Sequence, residues 1–109
     1  MLLPDENNFF AKFSRVNKEK IKTSFENNGW TARKVSWTDF EVTNAWSKLS
    51  LEGDDVNPLI TGKVGYDAKN IKILDRLFNM LACDFKYEFY DDAENLLAER
   101  MNVVSPEQI

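Results

Sequence analysis

Between Ala68 and Tyr90 the hydrophobic period of the chain switches from helical to alternating, and that switch constrains the fold more than any other feature. Ile71, Leu74, Leu77, Phe78 and Leu81 form one stripe at helical spacing, while Lys69, Lys72, Asp75, Arg76 and Asn79 lie largely off it. Residues 68–83 therefore read as an amphipathic helix with one side to bury, and Asp67 is placed to cap its start. Directly after it, Phe85, Tyr87 and Phe89 alternate with Lys86, Glu88 and Tyr90, the period of a strand with one buried face. A helix in need of cover followed by a half-buried strand calls for a sheet with helices laid against it.

The remaining segments fit that plan with three ambiguities. Residues 5–14 permit a strand, in which Phe9, Ala11 and Phe13 alternate, or a short helix, with Phe9, Phe13 and Val16 at helical spacing; Pro4 followed by Asp5-Glu6 suits a first turn and tips the reading to helix. From Asn17 the helix signal is firmer. Asn17 caps it, Val16 and Ile21 form a hydrophobic staple, Phe25 extends the stripe, and Asn27-Asn28-Gly29 stops it. Residues 30–37 read as a strand from their β-branched and aromatic content, with Arg33, Val35 and Trp37 on one face. Residues 38–51 carry both a capping box, Thr38 to Glu41, and an alternation whose parity changes near Asn44-Ala45; we read them as one bulged strand. Glu52 to Pro58 is the longest loop signal, Leu59 to Val64 a short strand weakened by Gly62, and Gly65-Tyr66-Asp67 a turn. Asp91 to Asn95 begins either a hairpin loop into residues 96–101 or a short helix over them; composition favours the helix, and the loop chemistry permits either.

Strands in series with helices before and between them imply an α+β class: a small, mainly antiparallel sheet with two or three helices packed on one face and the other face partly open. At 109 residues, with no fixed-period repeat or low-complexity tract, the expectation is a single compact domain spanning 1–109, with a frayed tail after about 104. Met1-Leu2-Leu3 is cut short by Pro4 and two acids, and no apolar run approaches membrane-spanning length, so we expect a cytoplasmic protein that does not engage a membrane. The lone Cys83 agrees with a reducing compartment and reads as a small core residue on the second helix.

The chemistry legible in the chain is mostly exclusion. There is no histidine, the usual proton-transfer side chain near neutral pH and a frequent metal ligand. Phosphate loops, dinucleotide fingerprints and metal-binding Cys/His spacings are missing as well, so no cofactor and no metal site is expected. An enzyme built on carboxylates alone remains as an alternative, through convergence of acids such as Asp39, Glu41, Asp84, Glu88 and Asp91. Asp54-Asp55 lacks the alternating oxygen ligands of a calcium loop.

Charge is unevenly spread. Residues 1–51 carry eight Lys/Arg against six Asp/Glu, whereas residues 52–109 carry six against twelve, within a total of −4. The basic set Arg15, Lys18, Lys20, Lys22, Arg33 and Lys34, with Trp30 beside it, is a second alternative, a patch for nucleic acid interrupted by Glu19 and Glu26. The acidic half is denser and contains tyrosines, and acids ringing aromatic anchors suit docking on a basic protein. Asp54, Asp55, Tyr66, Glu88, Tyr90, Asp91, Asp92 and Glu94 are accordingly the candidate partner-binding residues. In general build, and in the stretches Gly53-Asp54-Asp55 to Gly62-Lys63-Val64 and Tyr87 to Asp92, the chain resembles bacterial immunity proteins that neutralise secreted toxins, including those of contact-dependent inhibition. That resemblance implies a stoichiometric inhibitor that blocks a cognate toxin domain, often a basic nuclease, and performs no catalysis itself.

Overall fold

The computed structural model describes residues 3–104, so the frayed tail expected after about 104 lies outside the described residues. Seven strands form one antiparallel sheet in the order β2-β3-β4-β5-β1-β6-β7, with two helices in the connections. The elements are β1 (Phe9–Ser14), α1 (Lys18–Asn27), β2 (Thr31–Lys34), β3 (Phe40–Asn44), β4 (Ser47–Gly53), β5 (Pro58–Val64), α2 (Ala68–Asn79), β6 (Asp84–Tyr90) and β7 (Leu96–Asn102). The class is α+β, richer in strand than expected.

Both helices start where their caps predict. The Asn17 carboxamide accepts from the Lys20 N–H at 2.8 Å, and the Asp67 carboxylate accepts from the Lys69 N–H at 3.0 Å, each satisfying a donor that has no partner within its helix. Gly29, at φ 96°, lies just beyond the end of α1 as expected. The second helix is shorter than its stripe suggested: it ends at Asn79. Ala82 then takes a left-handed φ of 53°, so Leu81 and the buried thiol of Cys83 enter the core from a turn rather than a helix. Burial raises the Cys83 thiol above its ordinary pKa.

Three expectations are corrected, each by strand pairing. Residues 9–14 are a strand and not a helix, because β1 is hydrogen-bonded on both sides, Phe9 facing Gly62 of β5 and Phe89 of β6. The parity change near Asn44 is a hairpin and not a bulge. Asn44 pairs with Ser47, and its side chain accepts from the Trp46 N–H at 3.0 Å and the Ser47 hydroxyl at 2.7 Å, closing a two-residue turn between β3 and β4. The strand expected over 30–37 stops at Lys34, and residues 35–39 form a hairpin loop that carries Trp37 outward at 92% exposure. Of the two readings for 92–101, the hairpin is correct: β7 pairs with β6, with a register shift at Phe89/Tyr90.

The core gathers on the sheet face that bears Phe9, Ala11, Phe13, Phe85, Tyr87 and Phe89. The Phe78 ring of α2 stands 5.0 Å from Phe13, 5.7 Å from Phe85 and 6.3 Å from Phe25 of α1, edge-on and tilted arrangements that aromatic quadrupoles favour. Gly62 is needed where β4 and β5 approach, since a Cβ there would stand 2.3 Å from the Lys48 carbonyl.

Candidate functional site

A groove of about 830 Å³ opens at one end of the sheet, where the N-terminal segment, the turn after β5 and the loop between β6 and β7 meet. Its base is Asn8. The buried Asn8 side chain donates to the Val64 and Tyr90 carbonyls at 2.9 and 3.2 Å and accepts from the Val64 N–H at 2.8 Å. The Asn8 backbone adds an N–H to Gly62 and accepts from the Tyr90 N–H, both at 2.9 Å. One residue thereby ties the start of β1 to the ends of both neighbouring strands, which is what brings three distant segments to one place.

Aromatic rings line the groove. Phe10 and Tyr90 meet edge to face at 6.0 Å, and Tyr66 stands exposed on the turn after β5. The Tyr90 hydroxyl donates to Glu88 Oε1 at 3.1 Å, and that bond to a carboxylate raises its phenol pKa. Partial desolvation, then the charges of Asp92, Asp91 and Asp5, push the Tyr66 phenol up as well. Acids from two ends of the chain therefore surround these rings, and the negative field they make favours a cation.

Six of the eight sequence-derived residues, Tyr66, Glu88, Tyr90, Asp91, Asp92 and Glu94, line this groove. Asp91 has a local role too. Its carboxylate accepts from the Ala93 and Asn95 N–H groups at 2.9 Å each and from Asn95 Nδ2 at 3.2 Å. These bonds, led by the Asn95 backbone, hold its pKa below the usual carboxylate range and shape the loop that presents Asp92 and Glu94. Asp54 and Asp55 are not brought to the groove. They occupy the β4–β5 hairpin, at the Pro58 end of β5, whereas the groove adjoins the Val64 end; at ~3.3 Å per residue those ends are about 20 Å apart. The β2–β3 loop lies at the Asp54 end, as the pairing of Phe40 with Leu51 requires, so Trp37 belongs with Asp54-Asp55 and not with the groove.

Asp5, Glu6, Asn8 and Phe10 were not among the sequence-derived site residues. A helical reading of 5–14 conceals them, whereas the strand alternation puts Phe10 on the face opposite Phe9 and beside Glu88.

Four of the six residues in the basic set are engaged with acids of the same chain. Lys18 is only 2% exposed and donates to the Thr38 carbonyl at 2.7 Å and to Asp39 at 3.3 Å. Arg15 pairs with Asp84, Lys22 with Glu19 and Glu26, and Arg33 with Glu41. Trp30 is buried against Phe25 and Trp46 and donates its indole N–H to Ser47 at 2.9 Å, so it is no stacking platform. A second polar cluster joins α2 to β6 and β7. The Tyr87 hydroxyl donates to Asp75 at 2.6 Å, and Arg100 pairs with Asp75 while lying 5.3 Å over the Phe85 ring. Desolvation, then the bond to Asp75, pushes the Tyr87 phenol far above its ordinary value.

No group of three or more Cys, Asp or Glu among the described residues is arranged to hold a metal ion, and no helix among them is long and apolar enough to cross a membrane. Compared with known protein families, curated proteins and solved structures, the chain matches none.

Proposed function

We propose that this chain is a protein-binding module, a stoichiometric inhibitor of the immunity-protein kind that neutralises a basic toxin domain in the cytoplasm without catalysis, cofactor or metal. The observation that carries the reading is the groove itself. Phe10, Tyr66 and Tyr90 supply apolar anchors, and Asp5, Glu88, Asp92 and Glu94 surround them with negative charge. Rings of this kind give affinity when buried, and the acids speed encounter with a positive surface. The architecture supports the same reading. The Phe78 ring of α2 packs on Phe13 of the sheet and on Phe25 of α1, which supports helices laid on one face with the groove end and the opposite face open to a partner.

Convergent acids are also what a carboxylate-only enzyme requires, and this is the one competing reading the groove favours. Against it, the hydrogen bonds that lower the Asp91 pKa favour its ionised form and unsuit it as a proton donor.

The test is capture from the native host with tagged wild-type chain and with a D92K/E94K variant, followed by identification of the bound protein. A basic toxin domain that the wild type retains and whose activity it blocks one-to-one supports the reading, provided the charge reversal weakens capture. Equal capture and inhibition by both proteins would remove the groove from the interaction.

A further inference from the structure

The two edges of the sheet are unlike. At one, β2 has four residues, two of them Arg33 and Lys34, the charged and short edge that resists adding another strand. At the other, β7 is longer, with seven residues, and of its two charges, Glu99 and Arg100, the second is paired with Asp75. Leu97 and Val103 on this edge are 49% and 67% exposed, and Met101 lies exposed between them. The Val104 N–H turns back to Asp84 beside β6, at 2.7 Å. By alternation along the uninterrupted run from Ala98 to Asn102, the backbone groups of Glu99 and Met101 face outward, where a strand would pair with them.

The open face carries the second observation. Registers across β1, β6 and β7 set Lys12 opposite Lys86 and Glu88 opposite Glu99, with Met101 at the outer end of the lysine row. Like charges directly opposed destabilise a sheet. Within one chain, a row ending Lys12-Lys86-Met101 thus runs beside a row ending Glu88-Glu99.

We infer that the β7 edge pairs antiparallel with β7 of a second copy of this chain, about a two-fold axis at Arg100. This register sets Glu99 against Met101 of the second copy, and so brings each acidic row end to end with a lysine row. A register centred on Glu99 would instead oppose the two Glu99 carboxylates. The two Arg100 side chains at the axis are each already paired with their own Asp75. Contact along one strand falls below the ~1,200 Å² of a standard interface, so the dimer is weak, with a dissociation constant on the order of 100 μM.

Sedimentation equilibrium of the full chain from ~10 μM to ~1 mM in low salt tests this, the dimer being expected to weaken as salt rises. Met101→Pro removes an outward N–H and spares the ladder to β6, and it should weaken the dimer at least about tenfold. K86E and E99K should each weaken it, since each sets like charges across the axis, and the double variant K86E/E99K should restore it. A chain that stays monomeric throughout the range, or a dimer indifferent to the proline and to the charge exchange, overturns the inference. The charge variants decide the matter even if the proline variant does not fold.

Discussion

At the scale of single residues, Asn8 and Gly62 carry more of the structure than their types suggest. Removing the Asn8 amide leaves the buried N–H of Val64 without its 2.8 Å partner, and a buried group deprived of its bond loses its desolvation energy without compensation. Asn8→Ala should therefore lower stability by about 2–3 kcal/mol in denaturant titration. Gly62→Ala sets a methyl against the Lys48 carbonyl and should cost about 2–3 kcal/mol by overpacking. Tyr87 gives a pH signature. Its phenol pKa is raised on folding from an unfolded value near 10.0, so the native state holds the proton more tightly; the stabilisation is full below that pH and is lost as pH rises through the folded value. Wild type should lose stability in alkaline titration above about pH 10, and Tyr87→Phe should show a shallower decline. Neither Asn8 nor Gly62 announced its role in sequence, because what each contacts is 56 and 14 positions away, at Val64 and Lys48.

At the scale of elements, the helices were readable and the strands only in part. A capped helix is decided by neighbours three and four positions apart, which is why Asn17 and Asp67 mark α1 and α2 where the structure has them. A strand is decided by what lies beside it. For residues 9–14 that is β5 and β6, which nothing local to Phe9 reveals; for residues 40–53 it is their own hairpin, closed by the Asn44 side chain. The loop between β6 and β7 yields a prediction at this level. Asp91 organises it through the Ala93 and Asn95 amides, so Asp91→Ala should speed hydrogen exchange at those two amides while leaving β1 to β5 protected. Unchanged exchange would show that the turn forms without the carboxylate.

At the scale of the whole molecule, the sheet divides the acids between two ends. D92K/E94K and D54K/D55K make the same charge change, yet only the first alters the groove. Association with a basic partner should slow about tenfold or more at low salt for the groove variant and much less for the hairpin variant, and added salt should shrink the difference; stopped-flow binding measures both. Six of the eight expected site residues do meet, because Tyr66 follows β5 and Glu88 to Glu94 follow β6, and these strands end on either side of β1. Sequence alone determined where α1 and α2 start and what caps them, the alternating strand at 85–90 and the acidic character of the second half, since all of these rest on residue type and short-range spacing. Tertiary structure alone decided that residues 9–14 are a central strand, that Asn8 joins three segments, that Phe10 and Asp5 belong to the groove and that Asp54-Asp55 do not. Those outcomes depend on which strands become neighbours, and strand pairing is set by burial and backbone hydrogen bonds between residues far apart in the chain.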